Sequence, residues 1–460
     1  MGGLASGKTV MEQAKLNGDN QIVKSAEVKA ADGFISKKFL FVSWESLSGD
    51  LAWQIQKEGH EVKIFVKDTD DQDVYDGFLE KVADWKAHKD WADVIVFDDT
   101  DFGAQADALR REGKLVVGGS VYTDKLEMDR AFGQAEMKSV GMTILPHWDF
   151  SDFDEAIGFI KQNPSRYVFK PSGEISSDQK GILFIGHEED GRDIIEVLEH
   201  NKTSWSKKIK SFQLQKYASG VEIAAGTFFN GHDFVYPVNV NFEHKKLFPG
   251  DIGPYTGEMG TLMYWSPPNQ VFSTTLAKMK DKLAESGYVG YVDVNCIANA
   301  KGIYPLEFTC RFGYPTISIQ IEGVLSNWGD FLHAIAKGEN MELKTKKGFQ
   351  VGVVVAVPPF PFYDKKEFNT YKDSSILFKK PNLDGIHLGD VKLADGDWKL
   401  AGESGYALVV TGSNGTVDEA RRQAYRRIKN IMLQNMYYRT DIGVKWNQDS
   451  DKLQTWGYLY

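Results

Sequence analysis

The chain has 460 residues, 42% of them hydrophobic and 26% charged, a balance that suits a globular protein of about two to four domains and excludes a disordered or fibrous one. A formal net charge of −10 and a pI near 5.5 give a surface that repels nucleic-acid backbones and acidic membranes. No apolar run reaches the roughly 20 residues that span a bilayer, and the first residues lack the apolar stretch of a secretion signal. These features predict a cytoplasmic protein with no nucleic-acid or membrane partner; small-molecule substrates and a monomer or homodimer are the accompanying expectation.

Residues 1–36 are polar and without apolar period, and read as an extension. Gly2 to Thr9 has the spacing of a phosphate-binding P-loop, but that motif needs a buried strand to deliver it, and here one methionine precedes it. Regular structure is expected from Lys38: strand FLFVSW, a turn, a helix leading into strand EVKIFV, strand DVIVFDD at 93–99, a helix and strand KLVVGG at 114–119. Strands alternating with helices predict a parallel, doubly wound sheet over 37–120. Next come one helical segment over 125–141, extended residues 142–146, helix 153–162, strand 166–170, a Gly/Ser/Asp-rich loop at 172–181, strand ILFIG, helix 190–199 and strand 211–217. Strand pairs with one helix near 273–287 fill 221–322. The stretch 345–447 reads as a separate cap ending in a helix over 417–435, followed by a tail at 448–460. Both cysteines, Cys296 and Cys310, lie in apolar strand-like text. They read as buried free thiols, with pairing across a sheet as the alternative.

A triphosphate site needs cations on the phosphates, carboxylates on a divalent metal and a cation where charge develops. Lys170 ends a strand and runs into PSGEISSDQKGI, whose amides and Lys180 are able to fold over phosphates. QKYASGVE brings Gln215, Lys216, Tyr217 and Glu222, the last placed for ribose hydroxyls. Asp293 and Glu307 lie in two apolar runs joined by a turn, so both carboxylates project from neighbouring strands onto one face; a salt bridge is the alternative reading to a metal site. Arg311 follows Glu307 at i+4. DIGPYTGEMG at 251–260, preceded by His244, Lys245 and Lys246, demands close backbone approach to something beside positive charge.

GPYTGEMG, PLEFTCRFGYP, LEMDRAF at 126–132, KYASGVE and RTDIG at 439–443 together resemble the glycinamide ribonucleotide synthetase family of the ATP-grasp superfamily. The resemblance implies an α/β and α+β multidomain ATP-grasp protein with a Rossmann-like N-terminal domain (37–120). It also implies a central domain (121–146 and 215–344), a lid (147–214) and a C-terminal cap (345–447). Its activity would join an amino acid, glycine, to an amine, phosphoribosylamine, with ATP and Mg2+ or Mn2+, in purine biosynthesis. Adenine would lie near Lys216 and Tyr217, and Lys170 and Arg130 would hold phosphates. Glu307 and Thr309 would bind the metal, with Asp293 a further ligand. Arg311 would stabilise the acyl phosphate, and Lys245 and the stretch Asp251 to Gly257, including Thr256, would close on the amino acid.

The sequence departs from the family where the amine phosphate is held. The first turn, SWESLSGDLAW, offers Ser46, Ser48 and Gly49 at a helix N-terminus but no arginine, and Glu45 and Asp50 would repel an anion. Tyr255, Glu258, Tyr314 and Thr316 also differ from the family pattern, and Thr309 stands where it has asparagine. Two alternatives stay open: a paralogue joining an amino acid to a different amine in secondary metabolism or nucleotide modification, and an inactive nucleotide-binding regulatory subunit.

Overall fold

The computed structural model describes residues 34–172 and 182–459, so the readings of Gly2 to Thr9 and of Lys180 lie outside the described residues. Short apolar runs that bury both faces build the N-terminal sheet: β1 (Lys38–Ser43), β2 (Glu61–Val66), β3 (Glu80–Lys81), β4 (Val94–Phe97) and β5 (Leu115–Val117). All its strand pairs are parallel and the order is β3-β2-β1-β4-β5, so the direction of winding reverses between β1 and β4. Helices Gly49–Lys57 and Gly103–Arg111 cross between strands as expected. The segment expected as one helix over 125–141 is two, Val121–Met128 and Arg130–Ser139. Asp129 breaks it, because its carboxylate accepts from Phe132 N–H and caps the second helix, leaving Arg130 in that helix's first turn.

A small lobe carries an antiparallel sheet in the order β6-β9-β7-β8, from β6 (His147–Phe150), β7 (Tyr167–Ser172), β8 (Phe184–Ile185) and β9 (Ser211–Lys216). Helices Phe153–Gln162 and Arg192–Trp205 cover one face, and Phe153, Phe169, Phe212 and Leu214 fill the layer between. The remaining strands include β10 (Val221–Asn230), β11 (Phe234–Glu243), β12 (Lys246–Phe248), β13 (Ile252–Tyr255), β14 (Gly260–Ser266), β15 (Val289–Asn299) and β16 (Gly302–Thr309). After them come β17 (Phe349–Ala356), β18 (Leu377–Phe378), β19 (Ile386–Leu388), β20 (Val391–Ala394), β21 (Asp397–Leu400), β22 (Tyr406–Asn414) and β23 (Ile431–Met432).

Eight of these form one sheet, β16-β15-β10-β11-β14-β17-β22-β19, antiparallel throughout. The stretch 345–447 is joined to the rest through this sheet: β17 pairs with β14, and its side chains Val351, Val353 and Val355 share one core with Val292 and Val294 of β15. Two expected helices are shorter. The one near 273–287 is split into Gln270–Thr274, a tight turn Leu276–Met279 and Lys280–Glu285, and the last covers Val417–Ile428 before β23. The tail docks: helix Trp446–Thr455 sets Trp446 against Phe242, Tyr264 and Phe349, and Tyr458 Oη donates to Asn299 O at 2.8 Å. Cys296 and Cys310 are buried free thiols.

Candidate functional site

Between the small lobe and the large sheet lies a cleft of about 400 Å³, lined by Arg130, Lys170, Gln215, Lys216, Tyr217, Glu222, Lys245, Thr256, Gly257 and Glu307 among others. Residues scattered along the sequence meet here for identifiable reasons. Register sets Lys170 on β7 one diagonal step from Gln215 on β9, and Lys170 Nζ donates to Gln215 Oε1 at 2.7 Å. Burial, followed by the Arg130 guanidinium, pushes the Lys170 ammonium down to about 7. Two cations held this close, with little water around one of them, prepare a place for an anion. The apolar wall of the cleft, Leu126, Met137, Leu145, Val168, Ile185 and Leu306, suits a flat ring, and Tyr217 stacks under Arg166 with 3.5 Å from guanidinium carbon to ring centre.

On the opposite wall Lys245 is the hub. Its Nζ lies 3.3 Å from Glu222, 3.3 Å from Glu243 and 3.5 Å from Glu307. Although burial opposes it, Glu243, Glu222 and Glu307 hold the Lys245 ammonium well above its usual range. Reciprocally, Lys245 first, then Arg130 and Lys170, bring the Glu307 carboxyl down to about 2 against the pull of burial. Of the expected basic triplet only Lys245 reaches the cleft. His244 is buried, accepts from Gly443 N–H at 3.3 Å, and is pushed down to about 4 by burial and by Arg439, so it is neutral. Lys246 rests over the Tyr255 ring at 3.6 Å.

Asp293 and Glu307 face the same side of β15 and β16, as their strand positions predict: Asp293 is opposite Thr309 and Glu307 opposite Asn295. Asp293 is 2% exposed, its Oδ1 has no hydrogen-bond partner, and burial and then Glu243 raise its carboxyl far above the usual range. An ionised Glu307 on the same face as a buried carboxyl whose Oδ1 lacks a hydrogen-bond partner fits a divalent cation, which would displace the proton from Asp293. Among the described residues no three His, Cys, Asp or Glu side chains form a complete cage. That agrees with magnesium, which takes one or two carboxylates and completes its shell with water and substrate phosphates.

Arg311 sits between Asp99, at 2.9 Å, and Glu127, at 3.1 Å, and its Nη1 donates to Phe312 O. Glu127, which lines the cleft, also accepts from Cys310 N–H at 2.7 Å, so one carboxylate holds the Cys310 backbone and the Arg311 side chain. Glu127 and Glu243 escaped sequence reasoning. Each meets its partners only through the fold, although the acid in EHKK was a usable signal for Glu243.

Two expectations are corrected. Asp251 does not line the cleft. It sits at positive φ in the β12–β13 turn, bound to Lys445 and, at 2.9 Å, to the fully buried Arg439, so it anchors a hairpin rather than touching substrate. Ser46, Ser48 and Gly49 do not offer an open anion site. Gly49 N–H donates to Tyr75 Oη at 3.1 Å, Tyr75 in turn donates to Ser46 O, and a Cβ on Gly49 would lie 2.1 Å from the Tyr75 ring. All three residues are buried. Asp50, expected to repel anions, is instead held at 2.8 Å by His387 and accepts from Ser318.

Residues 128–317 match the family model described as phosphoribosylglycinamide synthetase, ATP-grasp (A) domain, and residues 350–445 match phosphoribosylglycinamide synthetase, C domain. The chain belongs to the phosphoribosylglycinamide synthetase family. Its similar proteins include phosphoribosylamine–glycine ligases from Streptococcus pneumoniae, 26% identical over 76% of this chain and 82% of the relative, and from Neisseria meningitidis, 25% identical over 86% and 96%. Among solved structures, a phosphoribosylamine–glycine ligase from Thermotoga maritima superposes with a TM-score of 0.67 at 22% identity, covering 88% of this chain and all of that one. N5-carboxyaminoimidazole synthetase from Staphylococcus aureus, solved with ADP, gives 0.54 at 15% identity over 85% and 97%. The shared fold is ATP-grasp. No helix among the described residues is long and apolar enough to cross a membrane.

Proposed function

We propose that this chain is an ATP-dependent, C–N bond-forming ligase that activates the carboxylate of an amino acid and joins it to an amine, as expected of a member of its family. Glycine and phosphoribosylamine are the reference pair, since the relatives are named for that reaction. The observation that carries the reading is the convergence of Lys170, Glu222, Lys245 and Glu307, distant in sequence, around one cleft.

In this reading the apolar wall beside Lys216 and Tyr217 takes the adenine, Glu222 accepts from the ribose hydroxyls, and Lys170 with Arg130 holds the phosphates. Glu307, Asp293 and Thr309 would hold magnesium, which would disperse charge on the transferring phosphoryl group. Lys245, charged throughout the physiological range, orients Glu222 and Glu307 and faces the phosphoryl group. Arg311, kept fully ionised by Glu127 and Asp99, stabilises negative charge as the amino-acid carboxylate attacks the γ-phosphorus and ADP departs with the bonding pair. The amine nitrogen then adds to the acyl carbon, the bond to phosphate breaks, phosphate leaves with that pair, and the nitrogen gives its proton to solvent. Thr256 Oγ1 and N–H are both bound to Lys245 O, at 2.9 and 2.8 Å, which ties the Thr256–Gly257 turn to the lysine it closes over. A cytoplasmic place in purine biosynthesis belongs to the same reading.

A second reading, ligation to a different amine, is favoured by Tyr75 closing the helix N-terminus at Gly49. ADP release is the test of the ligase reading. Wild-type protein with ATP, magnesium, glycine and phosphoribosylamine or another amine should form ADP and phosphate, and Glu307→Ala should not. ATP binding with no ADP from any amino acid and amine would leave a nucleotide-binding subunit instead.

A further inference from the structure

Beside the cleft lies a second cavity, of about 720 Å³, larger than the cleft and within the size range of small-molecule sites. Three parts of the chain wall it: the segment 216–220 leading from β9 into β10, the turn between β15 and β16, and the C-terminal helix Trp446–Thr455 with Trp456 after it. The tail, which has no part in the chemistry above, supplies one wall.

The charge of this cavity is one-sided. Lys216, Lys301 and Lys452 line it, and among the described residues its lining holds no Asp or Glu, in a chain whose 64 acids outnumber its 54 Lys and Arg. Lys216 and Lys301 form no ion pair among the described residues, and Lys452 lies 3.8 Å from Asp449. Arg166, over the Tyr217 ring, adds a fourth cation. In a protein of net charge −10, so many ammonium groups without carboxylates among them make a place for an anion.

Tyr217, Tyr304 and Trp456 line the same space, each half-buried, so a flat ring can lie against them while its charged end meets the lysines. Three lysines match a doubly charged phosphate better than a single carboxylate.

The cavity and the cleft share a wall, since Lys216, Tyr217 and Ala218 line both. Two hydrogen bonds in series tie the tail to that wall: Tyr458 Oη donates to Asn299 O at 2.8 Å, and Asn299 Nδ2 donates to Ser219 O at 2.9 Å. A ligand held by Trp456 and Lys452 therefore bears on the segment that also borders the nucleotide, which is the physical requirement for coupling two sites.

We propose that this cavity is a second ligand site, taking an aromatic ring that carries a phosphate, and that its occupancy changes the affinity of the cleft for ATP. The coupling rests on the reading of the cleft as the ATP site; the second site itself does not.

Equilibrium dialysis of the full chain with 1-naphthyl phosphate as probe tests it. Inorganic phosphate and 1-naphthol are the comparators, and the non-hydrolysable ATP analogue AMP-PNP with magnesium fills the cleft. The probe should still bind saturably, about tenfold or more tighter than either comparator. Lys301→Gln and Lys452→Gln should each weaken the probe about fivefold or more, while AMP-PNP affinity without the probe stays that of wild type, which certifies their folding. Saturating probe should shift AMP-PNP affinity about fivefold or more. Complete displacement of the probe by AMP-PNP overturns the proposal, because the probe then sits in the nucleotide cleft. No saturable binding, equally tight binding of inorganic phosphate, or binding untouched by both substitutions overturns it as well. Probe binding that leaves AMP-PNP affinity unchanged removes the coupling and keeps the site. Probe binding without ADP release from any amino acid and amine sinks only the ligase reading.

Discussion

Two neighbouring regions of the molecule carry opposite charge. At the cleft, Lys245, Arg130 and Lys170 outweigh the carboxylates around them enough to hold Glu307 ionised; beyond the carboxyl ends of β1 and β2, burial first and then neighbouring carboxylates raise Glu45, Asp71 and Asp390 above the usual carboxylate range. Arg311 stands at the junction, bound to one acid from each side. The cationic end is built on the edges of the large sheet and of the small lobe. The acidic end is built on turns after parallel strands, and there a tyrosine fills what the resemblance makes a phosphate site. Loop residues are free to change without disturbing the sheet that carries the reaction, so specificity and chemistry are physically separable here.

Breaking the cationic end should have the largest effect. Glu307→Ala is expected to lower kcat by about a thousandfold or more with little change in melting temperature, because the side chain faces the open cleft rather than the core; ADP release and thermal melting measure both. Retained turnover would remove Glu307 from the site.

Lys170→Met should weaken ATP by about tenfold or more, yet raise the melting temperature of the ligand-free protein near neutral pH. The sign follows from burial. With its folded value near 7 and its unfolded value near 10.5, Lys170 makes the unfolded chain bind more protons between those limits. Stability from this group therefore rises with pH across that window and is lowest below about 7. ATP affinity, by contrast, should tighten as pH falls through about 7 and Lys170 becomes protonated, and titration calorimetry across that range reads it.

Asp251→Ala separates an anchor from a catalyst. Losing one partner of buried Arg439, which keeps Asp441, should cost about 1–2 kcal/mol of stability and raise KM for ATP with kcat within about fivefold of wild type. A collapse of kcat alone would return Asp251 to the chemistry. The smallest effect is expected at the thiols: Cys296 and Cys310 should resist a thiol reagent in the native protein and react on unfolding, with no change in melting on reduction.

Local signals carried much of this fold. The N-terminal strands are apolar runs buried on both faces, and the alternation of Asp293 and Asn295 with buried Val292 and Val294 already aimed the acids at one side. The lid helix Phe153–Gln162 was legible because Asp152 caps it and Phe153, Ile157 and Ile160 recur on one face. What stayed hidden depends on partners distant in sequence. Tyr75 closing on Gly49, Arg439 holding Asp251 and Glu127 holding Arg311 are single contacts that no periodicity announces. The pairing of β14 with β17 likewise joins segments separated by helices, so no local signal announces it.

That pairing also governs how the molecule is assembled. As the ribosome releases the chain from its amino end, β14 emerges with an unpaired rim, and the eight-stranded sheet stays unfinished until β17 and β22 have followed. A nascent chain stalled before Phe349 therefore displays a sticky border, open to other chains or to a chaperone, until its own later strands cover it.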